Sequence, residues 1–400
     1  MKDIKSKIMK ITNSKELQSI LLAALCSSLY LVLFNNGLSN HANGGILTGF
    51  YKCIYGLFMI ASFSYFAFNL ILSFNKLDAS TIKWRLFYIA FLIRLTWVIV
   101  SYLFSIFSSS IPFGIGSEIY AGYQEEACFL SEFLKMGEFN KFFRCIKSVG
   151  DFSDSGYSIY LSIIYSITSN SILIAEIFKS IIGAYTCVLI YNLSIGSIGD
   201  KVARTAAILY ALLPNVIFYT GVINKNIELV FILVLLFERA QTVINNREHR
   251  IINSLIVISL CVLLLFFRTT LAIASVSSIL SSFAMCAMVY VVSLVSNESN
   301  VKKVNTALLL GGLALAVIFK AGDLFLLVIF YFILKKNLRY KRFALITTFI
   351  YFHIKILMPS DYFISNDFNQ PVYPFLIVII AYLLSMVDHR LSQRLIKSKA

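Results

Sequence analysis

Charge is what this chain has least of. Only 14% of its 400 residues are Asp, Glu, Lys or Arg, against about 25% in soluble domains. An ordinary water-soluble globule is thereby excluded. Proline is scarce too, at five residues, and no Gly/Ser- or Pro-rich stretch divides the chain, so no interdomain linker is expected. There is no Cys-x-x-Cys, and the four histidines lie far apart, which argues against a zinc module or a dithiol redox motif. The net charge of +15 is not gathered on a basic face interleaved with aromatics, so nucleic acid is not an expected partner.

What the chain does have is apolar length. Runs of roughly 20 apolar residues suffice to cross a bilayer core, and they recur from one end to the other. They predict spans near 19–36, 46–74, 86–108, 172–195, 203–219, 226–245, 251–267, 270–295, 304–320, 322–335, 343–358 and 373–388. The expected fold class is an all-α polytopic membrane protein of about 12 transmembrane helices, a single membrane domain over residues 1–400. The basic stretch before the first run is followed by no small-x-small cleavage site, so a retained first span is expected. Lys and Arg fall in alternate gaps: Lys76, Lys83 and Arg85, then Lys201 and Arg204, Arg247 and Arg250, Lys302 and Lys303, and a cluster from Lys335 to Arg342. By the positive-inside rule both termini are then cytoplasmic.

That orientation puts residues 109–171, the one long extramembrane stretch, outside. YLSIIYSI (160–167) is too short to cross and reads as an interfacial helix. Phe129, Phe133, Leu134, Phe142 and Phe143 recur at near-helical intervals, so the loop is expected to fold against the outer membrane surface. Cys128 and Cys145 share it and read as two free thiols, since spacing alone establishes no bridge.

The polar residues collect at the outward ends of the spans. Glu125 and Glu126 stand in the loop, with Asp151 and Asp154 near its far end. Asn224, Lys225 and Asn226 fill an outside turn, Arg268 follows the seventh span, and Arg94 lies within the third. A charge inside a span is a functional candidate. Carboxylates beside cations at one membrane face suit transfer from a lipid-phosphate donor. The carboxylate takes a proton from an acceptor hydroxyl, and the cations stabilise the phosphate charge that develops. Glu176 and Lys179, three apart, read as a local pair.

Glu125-Glu126-Ala127-Cys128-Phe129 resembles the acidic Asp-Glu-x-x-Phe/Tyr motif of the GT-C superfamily of integral-membrane glycosyltransferases, in particular the family 39-like, polyprenyl-phosphate-sugar-dependent branch. The run from Ser155 to Asn226 is similar to that family's Gly-Tyr-led amphipathic helix, span, cytoplasmic turn and span ending in Leu-x-Pro, with Pro214, Tyr219 and Gly221 in the expected places. Arg94 in AFLIRLTW likewise resembles an arginine found before the acidic loop. The resemblance covers about a third of the chain. It departs from the pattern in the leading glutamate, in Ser155, and in two additional spans at the start.

The resemblance implies inverting transfer of a sugar from a polyprenyl-phosphate donor to an extracytoplasmic glycan, lipid or protein acceptor in the cell envelope. It makes Glu125 the base, with Glu126 assisting, Lys225, Arg268 and Arg94 on the donor phosphate, and Asp154, Tyr157 and Phe129 in the substrate loop. On a helix adjacent side chains diverge by about 100°, whereas Glu125 and Phe129 share a face. Glu125 is therefore the expected base, with Phe129 anchoring that face to the fold. No cofactor is named by the sequence, and a divalent cation is left open. A lipid-linked oligosaccharide polymerase or ligase is the alternative enzyme, and a lipid or polysaccharide transporter the alternative non-enzyme.

Overall fold

The computed structural model describes residues 65–67, 69–74, 77–109, 117–148, 155–245, 249–277 and 279–280, and a few positions between 373 and 382. The spans expected at 19–36, 304–320, 322–335 and 343–358 lie outside the described residues, as does Asp154. Most of 46–74, 270–295 and 373–388 lies outside them too. Among the described residues all regular structure is helical. Three helices are long and apolar enough to cross a membrane: Ala79–Phe107, Ile172–Gly196 and Arg250–Phe267. This is an all-α chain of membrane character.

Helix α1 (Ala79–Ser109) shows how the sequence builds it. Ile82, Leu86, Ala90, Ile93, Trp97 and Ser101 recur every three or four residues and are buried, while Leu92, Ile99, Leu103 and Phe107 are exposed. The outward face is as apolar as the inward one, as expected where the surroundings are lipid. Helix α5 (Ile172–Ser197) repeats this: Ala175, Lys179, Ala184 and Cys187 face inward, and Phe178, Ile181 and Tyr185 outward. These two helices pack together, α8 (Asn226–Asn245) packs against α5, and α9 (Arg250–Phe267) packs against α8. Helix α8 keeps the expected 226–245 boundaries. It carries Glu228, Glu238 and Arg239, which leave it out of the three most apolar helices.

Between α1 and α5 run three shorter helices: α2 (Ser117–Lys135), α3 (Phe139–Ser148) and α4 (Ser155–Thr168). Helix α4 packs against α2 and touches α9. The turn into α5 puts Ser169 and Asn170 at positive φ, which Asn tolerates better than most residues. There the Asn170 Oδ1 accepts from Ser131 Oγ and Lys135 Nζ of α2, both at 2.9 Å. One asparagine thus fixes the turn and ties α2 to it.

The span expected over 203–219 is not one helix. Helix α6 (Asp200–Leu212) stops at Leu213, which is extended at φ −63°, ψ 117°. Residue 214 is proline, which disfavours helical geometry in the residue before it. The chain restarts as α7 (Pro214–Phe218) and a 3-10 turn, Tyr219–Gly221. Buried irregular backbone needs hydrogen-bond partners, and α1 supplies them. Trp97 Nε1 donates to the Phe218 carbonyl at 3.0 Å, and Ser101 Oγ to Gly221 at 3.1 Å.

The opposite end of the bundle is closed by charge. Gly199, at φ +104°, makes the left-handed turn from α5 into α6. Arg204 pairs with Asp200 and donates to the Phe74 and Leu77 carbonyls, tying α6 to the segment before α1. Tyr191 donates to Asp200 at 2.7 Å. Burial alone would raise the Asp200 carboxyl, but these hydrogen bonds and the guanidinium charge hold it below its ordinary value.

Candidate functional site

The other end, where α1 finishes and α5 and α8 begin, gathers the polar residues. Helix α2 brings two adjacent glutamates to it, and they diverge as helical geometry requires. Glu125 is exposed, whereas Glu126 is partly buried in the seam with α4. Glu126 accepts a hydrogen bond from Ser158 Oγ at 2.7 Å. Phe129 does not anchor the Glu125 face: it is 48% exposed and packs edge to face on Phe133 of its own helix at 5.0 Å. Ala127 and Leu130 are the buried α2 residues there. The shared face that the sequence predicted exists, but it points away from the bundle.

Beside Glu126 the rings of Tyr123 (α2) and Tyr157 (α4) pack edge to face at 5.3 Å, and Tyr157 stacks on Tyr160 at 6.2 Å. Lys225, 7% exposed, places its ammonium 5.5 Å from the Tyr123 ring centre, a cation–π distance. The structure therefore joins Glu126, Tyr157 and Lys225, three of the sequence-predicted residues, through Ser158 and Tyr123.

Behind that layer lies a charge cluster. Glu176 and Lys179 are each 1% exposed and paired at 2.9 Å, so the expected local pair is present. Glu228, in the first turn of α8, is 3% exposed. A helix N-terminus favours a carboxylate, yet among the described residues neither Glu228 oxygen has a hydrogen-bond partner. Also without partners are Glu176 Oε2, Asn224 Nδ2 and the hydroxyls of Tyr157, Tyr160 and Tyr165. Leaving one buried polar group unsatisfied costs about 1–3 kcal/mol, so this concentration makes the region a candidate site.

Burial first, then the charges of Glu228 and Glu176, push the Tyr157 and Tyr160 phenols well above their ordinary range. They act as neutral hydroxyls, able to donate and accept. Cys128 and Cys145 are free thiols, as expected. Burial raises the Cys128 thiol despite the opposing charge of Lys135, so it is no activated nucleophile. Among the described residues, no group of three or more His, Cys, Asp or Glu is placed to hold a metal ion.

Arg94 stands apart from these residues. Its guanidinium is fully buried between α1, α5 and α6, donating to the Ala90 and Ala211 carbonyls at 3.2 and 3.3 Å. Gly183 makes room for it: a Cβ there would sit 2.8 Å from Arg94 Nε. Arg94 Nη1 thus satisfies backbone near the Pro214 break, while Nε and Nη2 have no hydrogen-bond partner among the described residues. Arg94→Met, which keeps an unbranched stem but cannot donate to the two carbonyls, is expected to lower the thermal melt by several degrees; an unchanged melt would show that these bonds do not hold the break. Arg268 caps α9, its amide bonded to Leu264 O at 2.7 Å, and is partly exposed.

Sequence reasoning missed Glu228, Tyr123 and Ser158. For Glu228 a signal existed, an ionisable residue one turn inside an apolar run. For the other two there was none, because their roles come from α2 meeting α4. No protein-family model matches the chain, and no curated protein or solved structure is significantly similar to it.

Proposed function

We propose that this protein is a membrane glycosyltransferase moving a sugar from a polyprenyl-phosphate donor to an acceptor at the membrane face where α2 and α4 lie. The observation that carries the reading is Glu126, a carboxylate held by Ser158 at the α2–α4 seam, next to the Tyr123–Lys225 pair. Glu126 is the base in preference to Glu125, because a proton acceptor must be held in register with the reacting atoms.

In the proposed step Glu126 takes the proton from an acceptor hydroxyl, and that oxygen forms a bond to the anomeric carbon. The bond from that carbon to the phosphate oxygen breaks with inversion, and its electron pair leaves with the polyprenyl phosphate. Lys225, with Arg268 at the end of α9, offsets the charge on the departing phosphate. The unpartnered carboxylates, amide and phenols supply the donors and acceptors that sugar hydroxyls require. Lipid keeps the polyprenyl chain while the phosphate sits at this end of the bundle.

The test is transfer by the full chain in proteoliposomes, supplied with polyprenyl phosphates carrying radiolabelled hexose or pentose and a membrane extract as acceptor. The expected result is labelled acceptor with equimolar polyprenyl phosphate released. Movement of intact donor across the bilayer with no transfer would instead establish a transporter.

A further inference from the structure

We propose that Lys179 is a positioning residue that holds the Lys225 turn in place, an inference that rests on the donor-phosphate role given to Lys225 above. Lys179 lies on α5, is 1% exposed, and does not reach the surface. Its ammonium donates to Glu176 Oε1 at 2.9 Å and to the Val222 carbonyl at 2.8 Å. Val222 begins the irregular stretch 222–225, whose other end is Lys225.

The contacts close into a circuit. Lys179 holds Val222, and three residues on Lys225 lies over Tyr123. Tyr123 packs on Tyr157, and the Tyr157 ring centre is 5.8 Å from the Lys179 ammonium. Four parts of the chain meet in this circuit: α5, the 222–225 turn, α2 and α4. Glu126 joins it through Ser158, the neighbour of Tyr157.

Stability does not explain a lysine here. Replacing a buried ion pair with apolar side chains of similar size is often neutral or stabilising, so an apolar α5 would serve packing equally well. An apolar side chain could not hold a carbonyl in a turn that has little regular structure of its own. The far end of that turn is held by the Asn226 amide donating to Asn224 Oδ1 at 3.2 Å and by the Leu229 amide donating to the Lys225 carbonyl at 2.9 Å, whereas the Lys179 ammonium holds its start at Val222. The ammonium supplies a directional, charge-assisted tether instead, and its bond to Glu176 aims it.

The experiment uses the full chain in nanodiscs and the charge-balanced double variant Glu176→Gln/Lys179→Met. That variant removes the tether together with its paired carboxylate, so folding is at less risk than in Lys179→Met alone; adding Glu228→Gln neutralises the second buried carboxylate that faces Lys179. Hydrogen exchange is expected to rise about tenfold at the amides of residues 222–226 while α1 and α9 stay as protected as in the parent. In the transfer assay the donor KM is expected to rise about tenfold with kcat within twofold, the signature of lost ground-state binding. Unchanged exchange in the turn, or a uniform rise over the bundle, would overturn the inference. A parent protein that transfers no sugar would instead overturn the functional reading, and the exchange result would still decide whether Lys179 holds the turn.

Discussion

Glu126→Gln is expected to lower sugar transfer by about 10²-fold or more, with donor binding little changed, because removing a positioned general base costs that much. Glu125→Gln is expected to transfer within about twofold of the parent. The two residues are adjacent in sequence and chemically identical, so the comparison isolates position. Glutamine at 126 keeps the size of the side chain and can still accept from Ser158 Oγ, the 2.7 Å bond of the parent. It cannot take a proton. Initial rates at saturating donor, measured on equal amounts of folded protein, separate the outcomes. If Glu125→Gln is the dead variant and Glu126→Gln the active one, the base has been placed on the wrong face of α2.

Gly156→Val is expected to be the most damaging single change among residues that bear no charge. A Cβ at this position would lie 2.8 Å from the backbone carbon and oxygen of Phe266 and from the Phe267 ring. A side-chain tip could turn away, but backbone cannot, so α4 would have to lift from α9. Overpacking of this kind costs about 1–3 kcal/mol and occasionally more. The functional loss should exceed the loss of stability, because α4 carries Tyr157 and Ser158. Lifting it parts Ser158 from Glu126 and Tyr157 from Tyr123. A thermal melt lowered by several degrees, with transfer reduced about tenfold or more at a temperature where the variant stays folded, is the expected pair of results. Full activity in Gly156→Val would show that the α4–α9 contact does not set the site.

These two predictions rest on different kinds of legibility. Gly156 and Tyr157 were marked in the sequence as the head of an amphipathic helix, and α4 begins at Ser155. The reason for the glycine, an approach to the end of α9 over a hundred residues away, was not visible there. The glutamate pair was visible as an oddity of composition, but the choice between its members was not. Spacing correctly put Glu125 and Phe129 on one face. It could not say that this face points away from the bundle, because helical periodicity fixes relative directions on one helix and nothing about its neighbours.

Arg94 and Lys179 make the same point from inside the spans. Both are charges in apolar helices; by sequence Arg94 is a donor-phosphate candidate and Lys179 a local partner of Glu176. Position decided between them. Arg94 reaches carbonyls at the Pro214 break, and Lys179 reaches the turn that carries Lys225. The break itself was half legible: Pro214 was noted, yet the apolar run through it suggested one continuous span. Apolar composition reports the surroundings of a segment, and it is blind to where the hydrogen-bond ladder stops.

The sequence by itself determined the class of this protein, an all-α chain of membrane character, because low charge and long apolar runs are properties of composition that no packing can reverse. It also determined the local elements, including α8 at its expected boundaries and the Glu176–Lys179 pair, since those depend on residues within a few positions of one another. Only the tertiary structure decided which polar residues meet. Glu126 with Ser158, Lys225 with Tyr123, and Lys179 with Val222 are contacts between segments distant in the chain. Such contacts follow from how the helices pack, and packing is a property of pairs of surfaces rather than of any one stretch.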